Sequence, residues 1–478
     1  MTDNQPSERQ LEKQPAVESS SEQPKDTESA DAALSASAST APVLAANDPA
    51  VQQQLNELLN QLQLQAVGGK PPSKEHKFWD TQPHPPAKAH ILGRIADEKV
   101  VAEGAIEPSR EQTEIRAKPL PLPNGFEWCV VDVTKEEEMK ELYRLLSENY
   151  VEDDDAMFRF DYSPEFLNWA LKPPGWHKEW HLGVRVSSNR KLVAFIAGIP
   201  VHFRVRKHKQ LMAEINFLCV LKKLRSKRLA PMLIKEVTRR IHLTGTFQAV
   251  YTAGAVLPRP VASCRYFHRS LNPKKLVETG FSQLPSGMTM KRLQMRFALP
   301  KETSLRGLRQ MRASDAPKVR TLLNRYLERK EFAPIFSSAE EIVHWLLHRD
   351  GVVWSYVVET PDGKITDLVS FYAIPSTVIN ASKYKTINAA YQFYYASSMA
   401  FEPNGEALLG DRLRVLFKDA LILARSERFD VWNCLDLMDN REIIDELRFG
   451  PGDGTLHYYL YNYKCHSVEA DQVGLIML

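Results

Sequence analysis

The sequence has few cysteines, no long apolar run and almost no excess of charge. Its five cysteines, Cys129, Cys219, Cys264, Cys434 and Cys465, are odd in number and never form a CxxC pair, which excludes a disulfide framework and predicts free thiols in a reducing compartment. Lys and Arg total 62 against 59 Asp and Glu, a formal net charge of +3, too small for a general nucleic-acid-binding protein. No apolar run reaches membrane-spanning length, and the first residues, MTDNQPSERQ, lack the apolar core of a signal peptide. We therefore expect a soluble, cytoplasmic protein that binds no nucleic acid.

Aromatic residues are missing from the first 48 residues, which are rich in Ser, Ala, Glu, Gln and Pro. Such a segment buries too little apolar surface to offset the entropy lost on folding. We predict that residues 1–73 are disordered and that the folded chain begins near residue 74. Two roles stay open for this segment, docking to the ribosome and targeting to a membrane.

The most informative stretch is Glu214–Pro231, EINFLCVLKKLRSKRLAP. Its apolar part, residues 215–221, predicts a buried strand. Five basic residues follow within seven positions, and from Pro231 apolar residues recur every fourth position, which predicts an amphipathic helix. A strand, a basic turn and a helix N-terminus form an anion site, because main-chain N–H groups and the helix dipole point at one place. The alternative is a solvated basic turn, but no acidic residue lies between Lys222 and Lys235, which favours a phosphate-rich ligand.

An internal duplication runs through the rest of the chain at a spacing near 175 residues. Five similar segments recur in the same order, among them EFLNWAL at 165–171 and EIVHWLL at 341–347. Each copy predicts helices alternating with strands, which is typical of a mixed sheet flanked by helices. The basic run occurs only in the first copy, so we predict a single anion site in an α/β protein of two similar halves.

The basic turn resembles the acyl-CoA-binding element of GNAT-type acyltransferases, although residues 225–230, RSKRLA, lack its glycines. Over residues 74–478 the chain resembles the N-myristoyltransferase (glycylpeptide N-tetradecanoyltransferase) family much more closely, in EINFLCV, KKLRSKRLAP, YTAGAVLP, CRYFHRSLNP and the segment from YLYN to VGLIML. The resemblance implies two pseudosymmetric GNAT-like N-acyltransferase halves in one saddle-shaped sheet. The first half, 74–297, would bind myristoyl-CoA, and the second, 298–478, would bind the peptide.

The implied reaction transfers myristate from myristoyl-CoA to the N-terminal glycine amine of proteins that begin M-G-x-x-x-[ST]. We expect a monomer that needs no separate cofactor and no metal, because myristoyl-CoA is a co-substrate and no ligand cluster is evident in the sequence. Two other functions stay open. One is another acyl-CoA-dependent N-acyltransferase, and the other is a non-catalytic module that binds acyl-CoA or peptide.

The resemblance also implies the residues that perform each task. Myristoyl-CoA is expected at Lys77, Phe78, Trp79, Phe217, Leu218, Cys219, Val220, Arg225, Ser226, Lys227, Arg228, Leu229 and Ala230. The peptide is expected at Tyr150, Val151, Asp153, Asp155, Phe158, Phe160, Tyr162, Thr252, Gly254, His268, Tyr372, Ser376 and Asp436. Alternatives are a core anchor for Phe78 and Trp79 and a hydrogen-bonded core histidine for His268.

The resemblance implies that two pieces of main chain perform catalysis. It implies an oxyanion hole formed by the N–H groups of Phe217 and Leu218, which requires a β-bulge because strand N–H groups are normally paired. The last six residues, VGLIML, are mostly apolar, and their burial would bring the α-carboxylate of Leu478 to a site where it needs a cation. The family uses this carboxylate as a general base, whereas the alternative is an ordinary closing strand. No Ser or Cys nucleophile with a partner base is evident, which favours direct transfer without an acyl-enzyme.

Overall fold

A computed structural model describes residues 78–84, 102–152, 157–379 and 383–478, and of Asp80 and Ser226 only the main chain. The predicted disorder of residues 1–73 lies outside the described residues. So do three of the predicted site residues, Lys77, Asp153 and Asp155.

The described residues contain nine α-helices and eighteen strands. The helices are α1 Glu136–Asn149, α2 Pro164–Leu171, α3 Leu229–His242, α4 Pro273–Glu278, α5 Met290–Arg296, α6 Ala316–Leu327, α7 Ala339–Leu346, α8 Gly405–Ser426 and α9 Arg441–Ile444. The strands are β1 Gly104–Ala105, β2 Phe126–Val130, β3 Phe158–Phe160, β4 His181–Val186, β5 Leu192–Val205, β6 His208–Val220, β7 Ala249–Ala253, β8 Ala262–Ser270, β9 Leu308–Gln310, β10 Phe332–Pro334, β11 Val353–Glu359, β12 Ile365–Ala373, β13 Ser376–Val378, β14 Thr386–Ile387, β15 Ala389–Ser397, β16 Val431–Leu435, β17 Gly450–Tyr461 and β18 Tyr463–Lys464.

Thirteen strands form one mixed sheet in the order β2-β4-β5-β6-β7-β17-β8-β16-β15-β12-β11-β9, with β10 paired to β5. The order is nearly the same from both ends, since β2, β4, β5, β6 and β7 of the first half correspond to β9, β11, β12, β15 and β16 of the second. The pairs β6–β7 and β15–β16 are parallel, and α3 and α8 connect them. The predicted duplication and the mixed α/β fold are confirmed.

The two halves exchange strands at the centre of the sheet. Strand β17 of the second half pairs with β7, and β8 of the first half pairs with β16. Each half therefore completes the sheet of the other. The division between 297 and 298 stays a prediction.

Helix α3 covers one face of the first half of this sheet. Leu233, Val237 and Ile241 are at most 4% exposed and pack with the residues of β4 and β5 that point to that face. The amphipathic stripe predicted from Pro231 is thus confirmed, but the helix begins two residues earlier, at Leu229. Pro231 is tolerated there because first-turn N–H groups have no acceptor within the helix.

One other local prediction needs correction. Strand β6 begins at His208 and not at Ile215, because the polar residues before Ile215 pair with β5 in a hairpin. The GPGDG segment at 450–454 forms the bulged start of β17, where the register shifts between Pro451 and Thr455.

Candidate active site

Strand β6 carries a β-bulge at Phe217 and Leu218. Phe195 of β5 pairs with Cys219 but Ala197 pairs with Asn216, so β6 has one extra residue. Phe217 has φ 57°, a left-handed conformation that costs a non-glycine residue about 1–2 kcal/mol. The predicted bulge is confirmed. It releases main-chain groups from the ladder at a fixed place in an otherwise rigid sheet.

A cavity of about 310 Å³ lies beside the bulge. It opens there because β6 pairs with β7 at residues 213–215, and beyond these residues the two strands continue without pairing to each other. The wall is largely apolar and comes from β5, β6, β7 and α3. Its apolar members include Ile196, Ile215, Ile234, Val237, Ile241, Phe247, Ala249 and Leu257.

The cavity brings together residues from distant parts of the sequence. Seven of the predicted site residues line it, which are Trp79, Tyr150, Val151, Phe217, Leu218, Thr252 and Leu478. The bulge and the final residue of the chain, separated by more than half of the sequence, therefore share one space.

The chain's final segment is buried, and its main-chain groups are held by hydrogen bonds to other parts of the fold. The N–H of Gly474 donates to Phe332 (2.7 Å), and the Tyr458 hydroxyl donates to the carbonyl of Leu475 (3.0 Å). The N–H of Ile476 donates to the Tyr394 hydroxyl (3.3 Å). The predicted burial of the tail is confirmed. Within the described residues the tail makes a single β-bridge, between residues 332 and 473, and forms no strand.

The Tyr150 hydroxyl meets the bulge. It accepts a hydrogen bond from the main chain of Phe217, and burial raises its pKa, so that the phenol is neutral at physiological pH. One of the two N–H groups expected in an oxyanion hole is thus directed at an oxygen atom beside the cavity.

Aromatic rings line the side of the cavity near β7. Trp79 stacks on Tyr251 at 5.6 Å between centroids, and Tyr251 stacks on Tyr459 at 5.0 Å. Phe78 lies edge-on to Trp79 at 5.2 Å, and the Lys235 ammonium is 5.9 Å from its ring. Phe78 and Trp79 therefore anchor their segment to the sheet and to α3, and Trp79 also faces the cavity.

One titratable residue of the cavity wall, His242, is uncharged because it is buried. His242 contacts Phe247 at 4.8 Å between rings, and burial lowers the pKa of His242 to about 4. The imidazole is therefore neutral at pH 7. An uncharged imidazole suits an alkyl chain, since this part of the wall holds no ion that would have to be desolvated when the chain enters.

The basic turn is a 3₁₀-helix, Lys222–Lys227, followed by Arg228 in the left-handed conformation. Arg225 donates to the carbonyl of Asn149 at the end of α1 (2.6 Å), and Lys222 pairs with Glu152 (2.6 Å). The side chains of Lys227 and Arg228 are exposed, and no ion pair involves them among the described residues. Glu152, which lies earlier in the chain, thus supplies a carboxylate for Lys222, and the cations of Lys227 and Arg228 remain available, as does that of the exposed Lys223.

Four of the predicted acyl-CoA residues are mainly packing residues. Cys219 is buried beneath α1, with its sulfur 3.9 Å from the carbonyl of Leu145, and burial raises its pKa to about 12. Val220, Leu229 and Ala230 pack in the cluster beneath α3. Their side chains do not line the cavity.

Several of the predicted peptide residues form a continuous row of rings that starts at the cavity. Tyr150 contacts Tyr162 (5.6 Å), Tyr162 contacts Phe160 (6.0 Å), Phe160 contacts Tyr391 (6.2 Å), and Tyr391 stacks on Tyr372 (5.6 Å). Tyr391 was not among the predicted residues, although it begins the aromatic-rich run YQFYY of β15.

A second group of predicted peptide residues lies further along the sheet. Ser376 pairs with Phe160 in a small sheet of β3, β13 and β14. His268 shares a hydrogen bond of 2.7 Å with Asn433, and burial lowers its pKa. Phe281 lies between the rings of His268 (5.5 Å) and Phe158 (5.7 Å). His268 thus has a hydrogen-bond partner within the sheet, and its place in a peptide site stays a prediction.

Gly254 and Asp436 are the predicted peptide residues that the structure ties least to the cavity. Gly254 is exposed directly after β7, with no atom within 4 Å of the place a Cβ would take. The Asp436 carboxylate accepts the N–H of Arg265 (2.8 Å). Neither residue lines the cavity.

Comparison with known proteins places this site in a family. The model of the Myristoyl-CoA:protein N-myristoyltransferase N-terminal domain matches residues 105–264, and that of the C-terminal domain matches residues 278–476. The chain belongs to the N-myristoyltransferase family. The prediction made from the sequence motifs is therefore confirmed.

Relatives in this family are similar over most of their length. Glycylpeptide N-tetradecanoyltransferase 2 of Bos taurus is 50% identical over 402 residues, which cover 84% of this chain and 76% of the relative. A probable glycylpeptide N-tetradecanoyltransferase of Caenorhabditis elegans is 50% identical over 407 residues, covering 85% and 86%. A crystal structure of Saccharomyces cerevisiae N-myristoyltransferase with bound myristoyl-CoA has a TM-score of 0.79 and 46% identity, and covers 85% of this chain and 100% of that one.

Within the described residues, no helix has the length and apolar character needed to cross a membrane, and no group of three His, Cys, Asp or Glu side chains is arranged to hold a metal ion.

Proposed function

We propose that this chain transfers the myristoyl group of myristoyl-CoA to the N-terminal glycine amine of proteins and peptides. The observation that carries the proposal is the cavity that combines an apolar slot, a bulged strand and the final residue Leu478. The relatives named glycylpeptide N-tetradecanoyltransferase, and the S. cerevisiae enzyme with bound myristoyl-CoA, support the same reaction.

The first half of the chain is proposed to hold the acyl donor. The myristoyl chain occupies the slot between α3 and the separated strands, where about twelve methylenes at ~0.8 kcal/mol each supply at most ~10 kcal/mol. The phosphates of CoA lie at the N-terminus of α3, near the cations of Lys227 and Arg228, because main-chain N–H groups and the helix dipole favour anions there. Lys77, Phe78, Trp79, Ser226 and the main chain of 219–220 and 229–230 complete this proposed site.

The second half and the row of rings are proposed to hold the peptide. Its N-terminal glycine enters beside Tyr150 and Thr252, and the following residues pass along the rings from Tyr162 to Tyr372. The remaining proposed peptide contacts are Val151, Asp153, Asp155, Phe158, Phe160, Gly254, His268, Ser376 and Asp436. In this arrangement the chain divides at residues 297 and 298 into a half that binds the donor and a half that binds the acceptor.

The bulge is proposed to stabilise the transition state. The glycine nitrogen attacks the thioester carbon, and the carbonyl oxygen becomes an oxyanion that the N–H groups of Phe217 and Leu218 stabilise. One such donor contributes on the order of 10²–10³ in rate. The thioester oxygen would replace the Tyr150 hydroxyl as the acceptor for Phe217. The C–N bond forms, the C–S bond breaks, and the thiolate of CoA takes one proton from the attacking nitrogen.

The α-carboxylate of Leu478 is proposed as the general base. It takes a proton from the glycine ammonium, whose pKa near 8 needs only a modest reduction at neutral pH. Two protons leave the glycine nitrogen in each turnover. One ends on the thiol of CoA, and the other, taken by the carboxylate, is the net proton that the reaction releases. The buried tail holds the carboxylate at a fixed position.

Product mass spectrometry with a series of acyl-CoA donors tests the proposal. A Gly-initiated peptide and myristoyl-CoA should give a myristoylated peptide, whereas an Ala-initiated control should not. Lauroyl-CoA lacks two methylenes, which corresponds to ~1.6 kcal/mol or ~15-fold weaker binding. An acetyltransferase would not depend on chain length, and a non-catalytic module would bind myristoyl-CoA without forming product.

A cytoplasmic location and a monomeric state are part of the proposal. All five cysteines are unpaired, which fits a reducing compartment. A contact between the ribosome and residues 1–73 is the further partner proposed for this chain.

A further inference from the structure

A second, smaller cavity also borders the end of the chain. It has a volume of about 50 Å³, and Leu478 lines both this cavity and the larger one. The side chain of Glu214 faces it, together with Tyr394, His202 and Glu341. A water molecule takes ~30 Å³ in the liquid, so this space admits one or two.

Glu214 is a buried carboxyl group without a basic partner. It is 7% exposed, and its side chain accepts a hydrogen bond from the Asn216 amide (2.8 Å). Among the described residues, no Lys, Arg or His forms an ion pair with it. Asn216 itself lines the larger cavity, so the two residues span the space between the cavities.

An unpaired buried carboxyl group is costly to keep, which suggests a task for it. Burial raises the pKa of Glu214 to about 7, although the Asn216 hydrogen bond opposes the shift. A group with this pKa can both accept and release a proton near neutral pH.

The proposed reaction creates the need for such a group. Each turnover leaves one proton on the Leu478 carboxylate, and that proton has to depart before the next glycine ammonium can be deprotonated. Acyl-CoA and peptide occupy the larger cavity during turnover, so the proton needs another way out.

We propose that Glu214 is a proton relay that resets the terminal carboxylate between turnovers, with the smaller cavity as the path to solvent. The inference rests on the proposed function. The proton passes from the carboxyl of Leu478 to the carboxylate of Glu214 through a water molecule in the cavity, and from there to solvent. Both groups end in their original state, and the net proton of the reaction is released.

The other groups facing Glu214 fit this path. The Tyr394 hydroxyl on β15 accepts the N–H of Ile476 and remains protonated, because burial raises its pKa. His202 on β5 is exposed and lies where the cavity approaches solvent. Glu341 on α7 is half-buried and its carboxylate accepts the N–H of Ser337, so it takes no part in the proposed path.

Substituting Glu214→Gln tests the relay, because the amide oxygen can still accept the Asn216 hydrogen bond while the side chain can no longer take a proton. We expect the first turnover to proceed at the wild-type rate and later turnovers to slow by ~100-fold or more. Rapid-quench kinetics with mass-spectrometric product counting should therefore show a burst of one product per enzyme, with both KM values nearly unchanged. The matched control is Glu341→Gln, in the same cavity, which should keep the wild-type progress curve.

Three results would overturn the proposal. The first is a Glu214→Gln progress curve like that of the wild type. The second is a slowed first turnover or a raised KM, which would indicate that Glu214 only positions Asn216. The third is absence of product with the wild-type chain, which would reject the proposed function as well, whereas the first two would leave that function standing.

Discussion

Because Glu214 is buried, we predict how the free energy of unfolding depends on pH, a property that can be measured separately from turnover. Its pKa is raised from an ordinary 4.5 to about 7 because burial disfavours the charged form. At 1.36 kcal/mol per pH unit, the difference corresponds to about 3 kcal/mol. Between these pH values the folded state binds more protons than the unfolded state, so the free energy of unfolding falls as the pH rises from 4.5 to 7.

Glu214→Gln should remove this dependence. Relative to the wild type, the variant should gain about 3 kcal/mol between pH 4.5 and pH 8. The new amide N–H₂ group needs an acceptor, and its burial removes ~1 kcal/mol at every pH. We therefore expect a net gain of ~2 kcal/mol at pH 8 and a small loss at pH 4.5.

Thermal unfolding followed by tryptophan fluorescence at several pH values would measure the change. The apparent Tm of the variant should exceed that of the wild type by several degrees at pH 8 and fall slightly below it at pH 4.5. Glu341→Gln, whose half-buried carboxylate accepts the N–H of Ser337, is the control. A difference between Glu214→Gln and wild type that does not change with pH would refute the reasoning, because it would mean that Glu214 is charged in the folded protein at no cost.

Three further predictions concern the ends of the site. A few residues added after Leu478 should abolish turnover while myristoyl-CoA binding, measured by calorimetry, survives; unchanged turnover would remove the carboxylate from the mechanism. Lys227→Ala with Arg228→Ala should raise the KM for acyl-CoA about tenfold or more and leave the peptide KM nearly constant, and a defect confined to the peptide would contradict the phosphate site. Gly474→Ala should reduce kcat more than stability explains, since its Cβ would lie 3.0 Å from two side chains that hold the tail and overpacking costs ~1–3 kcal/mol. Gly183→Ala, crowded at 2.8 Å but remote from the tail, should lose comparable stability without a loss of kcat per folded molecule.

The sequence predicts those features that depend on neighbouring residues. An apolar run followed by an apolar residue at every fourth position was enough to find β6 and α3. The bulge at Phe217 followed from the family resemblance, which implies an oxyanion hole at this place in the strand, and such a hole needs unpaired N–H groups. The apolar composition of the last six residues correctly predicted that they are buried, because five apolar side chains would otherwise be exposed to water at the terminus.

Features that depend on distant contacts were not predictable. Arg225 looked available to a phosphate, yet it caps the carbonyl of Asn149, a residue that only the fold brings near. Glu214 is a charged residue in an apolar strand, and nothing in EINFLCV shows that its neighbour in space is the final residue of the chain. The pairing of β17 with β7 joins segments nearly 200 residues apart, and no local pattern specifies it.

The strand exchange at the middle of the sheet has a consequence for biosynthesis. When the first half leaves the ribosome, the edge of β7 stays open until β17 has been made, near the end of translation. An open strand edge is a site for aggregation, so we expect the nascent chain to need a chaperone or a slow folding step during this interval. The same connection means that a gene split between the halves would yield two fragments that fold only when both are present.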